Sequence, residues 1–444
     1  MEQVRLTFLG GLGGPARNCL LVEAEGRIVI VDFGYAVGRN DDGTRFRVVP
    51  DLEYLRQNAN RVEACVVTHG HEDHVGGLAY LLQEMSVPIY SAPFTLGLAR
   101  QRLEPLGLAK DELLRPVADG EYVQLGPIGA EFIPVTHSIP QAFGLALHTP
   151  AGVIFHSGDF KIDLDPVDGR FTNLSRIGEL AQNPGIRLLL SESTNIAKAG
   201  FTKSESSVKP AIEALFDRYP DRRVVIGAST LNLHRLALII DAAKTRGRFI
   251  TPVGAPIRNA LRIGVDTGAI SLPDSFVWNP TELDDYAPSQ VCVLTSGSQS
   301  ESTAPLLAIL NGEDTELTLG TSDVVIFTSH PIPGNAVNVA RFAERLEALG
   351  PTVVQAKESK ISAAGHAKIE ELRLLLALAK PQAFIPIHGR EANLAAHASL
   401  ARDMGVVAED IMTVRDGDTV LLTKSSLTRG SQVPAPIKEM PHLW

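Results

Sequence analysis

The sequence predicts an α/β protein in two structural styles, and three observations carry that expectation. Short β-branched runs broken by glycines, VRLTFLG, CLLVEA and RIVIVDFG, open the chain as strands joined by tight turns. Farther on, AEFIPVTHS, GVIFHSGDF and IRLLLSEST are apolar strands that each end in polar, ligand-capable residues, which gathers functional groups on one edge of a scaffold. From about residue 205 strands alternate with helices: RRVVIGAS leads to LNLHRLALIIDAAKTRG, VCVLTSG to APLLAILNG, and DVVIFTSH to NAVNVARFAERLEALG. That alternation is the pattern of a parallel sheet in a separate domain of about 150 residues. After residue 365 the sequence predicts a helix, AKIEELRLLLALAK, a strand, AFIPIHG, and a hairpin around Asp416 and Gly417 in TVRDGDTVLL. The glycine-rich GLGGPA, residues 11–16, has the spacing of a dinucleotide fingerprint, but Pro15 and the immediate return to a strand leave no helix N-terminus for a pyrophosphate, so it reads as a turn.

Composition narrows the function classes. With 444 residues, 44% hydrophobic and 21% charged, the chain has material for two or three cored domains. MEQVRLTFLGG lacks the basic and apolar segments of a secretory leader, and no apolar run reaches the roughly 18 residues of a membrane span, which predicts a soluble cytoplasmic protein. Cys19, Cys65 and Cys292 are too scattered for a disulfide framework or a CxxC site and read as small buried residues. A net charge of −10 offers no general footprint for nucleic acid, although a metal cluster can supply positive potential locally.

The stretch VVTHGHEDHVGGL, residues 66–78, crowds His69, His71, His74, Glu72 and Asp73 directly after an apolar run. If EACVVT is a strand and VGGLAYLLQEM a helix, HGHEDH is the loop between them, where side chains converge above a sheet edge. Imidazole and carboxylate donors suit Zn²⁺ or Mn²⁺. The alternative is a solvated polar loop, which a lone histidine would favour and this H-x-H-x-D-H pattern does not.

THGHEDHVGG resembles the signature of the metallo-β-lactamase superfamily. VVPDLEYL, PFTLGL, VTHSIPQAFGLAL, HSGDFKID, SESTNIAKAGFTKSE, NLHR, TSGSQSES, PIPGN, AGHA and IPIHG fall in the order of the bacterial ribonuclease J family of its β-CASP branch. The resemblance implies an αββα metallo-β-lactamase fold with an inserted α/β β-CASP domain: residues 1–200 and 351–444 form the former, 201–350 the latter. It implies that His69, His71 and His137 hold one metal, that Asp73, His74 and His388 hold a second, and that Asp159 bridges them. Two Zn²⁺ or Mn²⁺ per chain would activate a water as nucleophile. His137, Asp159 and His388 each follow an apolar strand, as the first cluster does.

Further residues follow from the same likeness. Asp32 would orient metal-bound histidines. Asp73, Glu192, His234 and His366 form the implied catalytic set, with His366 protonating the leaving oxygen or steadying the phosphoryl charge. His156 would lie behind the ligands, whereas His148, His397 and His442 read as surface or core residues. Asn232, Ser362, Gly365 and His366 would line the substrate pocket. The chain departs from the family there: SAAGH replaces H-x-S-G-H, placing Ser362 and Ala364 where a histidine and a serine are usual, and Leu231 replaces a hydroxyl before Asn232. Each lost donor removes a phosphate hydrogen bond worth roughly 1.5–3 kcal/mol. The chain also stops where the family's linker and C-terminal domain would begin, so the family's dimer is an open expectation.

The leading reading is a two-metal hydrolase cleaving RNA phosphodiesters. The alternative is hydrolysis of a small anionic phosphoester, lactone or amide, including a β-lactam; a third is an idle RNA-binding scaffold, which the complete ligand set disfavours.

Overall fold

The structure is a computed structural model that describes residues 2–13, 17–39, 45–283, 285–297, 305–313, 316–329 and 336–440. Residues 14–16 of the glycine-rich turn, most of TSGSQSES, PIPGN and His442 lie outside the described residues. The chain divides into two compact units, Met1–Asp163 with Arg170–Thr202 and Gly365–Trp444, and Leu164–Gly169 with Lys203–Ala364.

In the first unit, besides a three-stranded sheet of Lys438–Met440, Arg45–Val49 and Ala36–Arg39, the described residues form two larger sheets packed face to face. One has the order Leu427–Arg429, Thr419–Leu422, Val4–Gly10, Cys19–Ala24, Arg27–Val31, Val62–Val66, Ile89–Ser91 and Leu114–Pro116. It is antiparallel up to Arg27–Val31 and parallel beyond. The other runs Ala383–Ile387, Ile186–Glu192, Gly152–His156, Phe143–Thr149, Ile128–Pro134 and Tyr122–Leu125, with its first three strands parallel.

Strand alternation explains the layers. Leu6, Val22, Val29 and Val66 from one sheet share a buried cluster with Phe132, Leu145, Ile154, Leu190 and Ile385 from the other. Their neighbours Leu21, Ile30 and Cys65 point the opposite way, onto helix Leu78–Glu84 and helix Pro93–Leu103. Ile133, Phe155, Leu189 and Phe384 likewise meet helix Leu174–Gln182 and helix Ile369–Ala379. Sheets buried on both faces in this way make an αββα sandwich.

The second unit is a parallel sheet of Phe249–Pro252, Val291–Thr295, Arg223–Gly227, Asp323–Phe327 and Thr352–Val354. Expected boundaries at 200/201 and 350/351 become 202/203 and 364/365, because Thr352–Val354 is the edge strand of this sheet. The hairpin expected around Asp416 is a correction. Asp416 and Gly417 form a turn, Thr419–Leu422 pairs with Leu427–Arg429 instead, and the Asp416 carboxylate is occupied by Leu12 N–H at 3.1 Å and Arg17 at 2.8 Å. All three cysteines are buried and free. Among the described residues, no helix is long and apolar enough to cross a membrane.

Within the second unit, buried Arg235 donates to Glu205 at 2.6 and 3.1 Å, to Thr328 O at 3.1 Å and to Ala363 O at 3.3 Å. Glu205→Ala leaves that guanidinium without its carboxylate, and should destabilise the second unit by about 3–5 kcal/mol. Urea titration followed by hydrogen exchange in Arg223–Gly227 and Asp323–Phe327 measures it; an unchanged midpoint refutes it.

Candidate metal centre

The parallel pairing of Arg27–Val31 with Val62–Val66 brings the C-terminal ends of both strands to one edge. Asp32 leaves the first and Thr68–His74 the second. Helix Glu72–Val75 starts inside HGHEDH, so Glu72, Asp73 and His74 are helical rather than in the expected open loop. The helix stops at Gly76 and Gly77, where chain packing leaves no room for side chains: a Cβ on Gly76 would lie 2.3 Å from the Tyr35 ring. From the other sheet, His137 follows Ile128–Pro134, Asp159 follows Gly152–His156, and His388 follows Ala383–Ile387.

These ends converge. His71 Nδ1 lies 3.0 Å from His69 Nε2 and 3.1 Å from His137 Nε2. Asp159 Oδ2 lies 3.7 Å from His69 Nε2, 3.9 Å from His137 Nε2 and 3.4 Å from His74 Nε2. On the far side, Asp73 Oδ2 is 3.1 Å from His388 Nε2 and 3.6 Å from His74 Nε2, while His388 Nδ1 is 3.5 Å from Asp159 Oδ1. His69, His71, His137 and Asp159 form one group whose donor atoms lie within 4.8 Å of one another, and Asp73, His74 and His388 form another. Both groups fit a cation. Asp159 Oδ1 is buried without a hydrogen bond among the described residues, and the neutral imidazoles turn ring nitrogens, lone pairs included, toward one another at 3.0–3.1 Å.

Electrostatics divides the cluster. Burial lowers the pKa of His69 and His137 well below the ordinary value and that of His71 to about 4, which keeps these rings neutral. Burial acts on His74 too, but Asp159, Asp73 and Asp32 outweigh it and hold that ring well above its ordinary value. His388 is raised against burial by Asp159 and Asp73. His366 Nδ1 faces Glu192 at 3.0 and 3.1 Å and Asp159 Oδ2 at 3.8 Å; against burial, Glu192 in particular raises it to about 9.

The surrounding bonds fix the rings. Asp32 accepts Thr68 N–H at 2.7 Å and faces His74 Nδ1 at 2.7 Å, leaving Nε2 toward Asp159. His137 Nδ1 donates to Gly365 O at 2.8 Å. His156 is buried behind the site, its Nδ1 accepting Gly158 N–H at 3.1 Å. His397 is a core residue beside Ser193 Oγ at 3.0 Å, and His148 is a partly exposed residue beside Glu131 at 3.2 Å. Residues that sequence reasoning missed include Asn18, which donates to Asp73 O at 2.9 Å, and Thr194, whose hydroxyl is 3.0 Å from His388 Nδ1. Both are single polar residues without spacing that marks them.

The second unit holds His234, Asn232 and Ser362. Asn232 Oδ1 caps helix Leu233–Lys244 by accepting Arg235 N–H at 3.0 Å, and buried His234 has Nδ1 4.0 Å from Asp168 Oδ2. Ser362 is partly buried.

The sandwich and its strand-end donors define a metal-dependent hydrolase. Residues 12–163 match the metallo-β-lactamase superfamily, 221–346 the ribonuclease J β-CASP domain, and 351–413 the Zn-dependent metallo-hydrolase RNA specificity domain. Ribonuclease J of Synechocystis is 36% identical over 439 residues, covering 98% of this chain and 68% of the relative. Ribonuclease J 1 of Streptococcus pyogenes is 36% identical over 96% of this chain and 75% of its own length. Ribonuclease J2 of Bacillus subtilis is 32% identical over 98% and 78% respectively. The chain belongs to the ribonuclease J family. A crystal structure of an Enterococcus faecalis protein of unknown function shares the fold, with a TM-score of 0.64 at 17% identity over 95% of this chain and 100% of that one.

Gly34 lies against the metal loop: a Cβ there would sit 1.8 Å from Asp73 O and 2.7 Å from His74 N. Gly34→Ala should therefore weaken divalent-metal affinity by about 10–100-fold while the protein still melts cooperatively. Competition with a chelator reads the affinity, and wild-type binding in the variant would contradict the packing argument.

Proposed function

We propose that this chain is a metal-dependent ribonuclease that hydrolyses RNA phosphodiester bonds at the strand-end cluster of the first unit. The observation that carries the reading is the convergence of His69, His71, His137, Asp159, Asp73, His74 and His388 beside a His366–Glu192 pair. The names of the ribonuclease J relatives support RNA as the substrate class.

His69, His71 and His137 would hold one divalent cation and Asp73, His74 and His388 another, with Asp159 shared; Zn²⁺ and Mn²⁺ both suit these donors. Bound there, the cations supply water activation and neutralise phosphoryl charge. Asp32 holds the His74 ring and Gly365 O the His137 ring, so both present Nε2 to the cluster. Glu192 accepts the proton at His366 Nδ1, which leaves Nε2 to protonate the departing oxygen. Asp73 serves as a ligand rather than as a separate base. His234, the Asn232 amide nitrogen and Ser362 of the second unit, and the backbone at Gly365 of the first, are each proposed to meet a phosphate of the substrate.

The substitutions at Ser362, Ala364 and Leu231 favour a weakened reader of the RNA 5′ phosphate. The same departures are what would favour a smaller ester or amide substrate.

His366→Ala should slow turnover by roughly 10²–10⁴-fold. Elemental analysis should still find about two equivalents of Zn²⁺ or Mn²⁺ per chain, as in the wild type. Wild-type turnover would remove His366 from the proton path.

One oligoribonucleotide carrying either a 5′ monophosphate or a 5′ hydroxyl should be degraded at rates within about tenfold of each other, because the lost donors are worth more than that factor. A larger preference for the monophosphate would show an intact pocket. Inert RNA with turnover of a lactone, β-lactam or small phosphodiester would replace the ribonuclease reading.

A further inference from the structure

Glu371 lies on the first turn of helix Ile369–Ala379, is fully buried and has no part in the chemistry above. A capping box accounts for one of its bonds, since Oε2 accepts Lys368 N–H at 2.9 Å. The other two reach across the sequence. Oε2 also accepts Thr202 N–H at 2.7 Å, and Oε1 accepts Ile162 N–H at 2.8 Å.

The three donors share a location. The chain leaves the first unit after Asp163, re-enters it at Arg170, leaves again after Thr202 and re-enters at Gly365. Ile162, Thr202 and Lys368 stand beside three of these four crossings. Further bonds draw the same segments together: Ala367 N–H donates to Phe160 O at 2.6 Å, and the Thr202 hydroxyl to His366 O at 2.7 Å. One of these segments carries Asp159 and another carries His366. A carboxylate that accepts from three amides of separate segments is hard to replace, since each charge-assisted bond is about twice as strong as a neutral one.

We propose that Glu371 is a positioning residue for the hydrolytic reaction, clamping the Asp159 loop and the His366 segment to each other where the chain crosses between units. It acts through Asp159 and His366 and touches no reacting atom. The inference rests on the hydrolytic reading given above. Gln at this position keeps one carbonyl acceptor but turns an NH₂ toward backbone N–H groups, and Ala removes every acceptor.

The test compares wild type, Glu371→Gln and Glu371→Ala. In metal-free wild-type protein, the amides of Ile162, Thr202 and Lys368 should exchange as slowly as those of core strand Ile186–Glu192, although none of the three lies in a strand or helix. In the variants, exchange should rise in peptides covering 159–163, 200–204 and 366–370 and stay unchanged in Ile186–Glu192. On RNA, kcat should fall by about 10–100-fold with KM and metal content unchanged, less in Gln than in Ala. Uniformly faster exchange in every peptide, or full kcat in folded Glu371→Ala, would overturn the proposal. Should neither variant fold, rapid exchange of the three wild-type amides would overturn it and slow exchange would support it. If wild type leaves RNA intact, the ribonuclease reading fails while the exchange pattern still decides the clamp.

Discussion

The Asp32 carboxylate, bonded to Thr68 and facing His74 Nδ1 at 2.7 Å, ties the end of one parallel strand to the metal loop at the end of the next. To make that turn Asp32 adopts φ 59°, a conformation that costs an ordinary residue about 1–3 kcal/mol. Backbone bonds continue the zipper, from Phe33 N–H to His74 O at 2.8 Å and from Tyr35 N–H to Glu72 O at 3.0 Å. Once those bonds form, His74 has one direction left for Nε2, toward Asp159. His388, with φ 49°, makes a similar bend at the end of its own strand. Strained backbone at these two positions is offset by what each side chain then reaches.

The convergence of the candidate donors was legible in the sequence for a structural reason. His137, Asp159 and His388 come directly after apolar runs, and an apolar run with a polar end is how a buried strand that delivers a ligand must read. The parallel style after residue 205 was legible for the same reason. What escaped notice depends on tertiary partners. Asn18, Thr68 and Thr194 are isolated polar residues whose roles exist only because another segment arrives beside them. TVRDGDTVLL has the pattern of a hairpin, yet the Asp416 and Asp418 side chains take bonds from Leu12, Arg17 and Arg429 that bend the segment otherwise. The compact units part at 364/365, although the family matches part near residue 350, because a short edge strand, Thr352–Val354, has no local signal saying which sheet it will join.

A chain of net charge −10 handling an anionic polymer is less paradoxical once the cluster is viewed as a whole. Asp32, Asp73, Asp159 and Glu192 put four carboxylates around the imidazoles. Buried carboxylates repel a phosphodiester, and the same density of negative charge is what draws divalent cations into a site. The imidazoles divide accordingly. Those packed against one another stay neutral and ready to ligate, and those packed against carboxylates gain basicity. Local charge, supplied from solution, substitutes for a basic surface.

The contact between the Thr202 hydroxyl and His366 O also has a topological meaning. Residues 203–364 leave and return through a gate whose two posts are hydrogen-bonded to each other, so for the sandwich this long excursion is a loop already closed. Loop-closure entropy grows only logarithmically with length, by about 0.6 kcal/mol per doubling. Because the gate is held shut within the sandwich itself, the entropy of closing the excursion beyond it depends only weakly on how many residues that excursion contains.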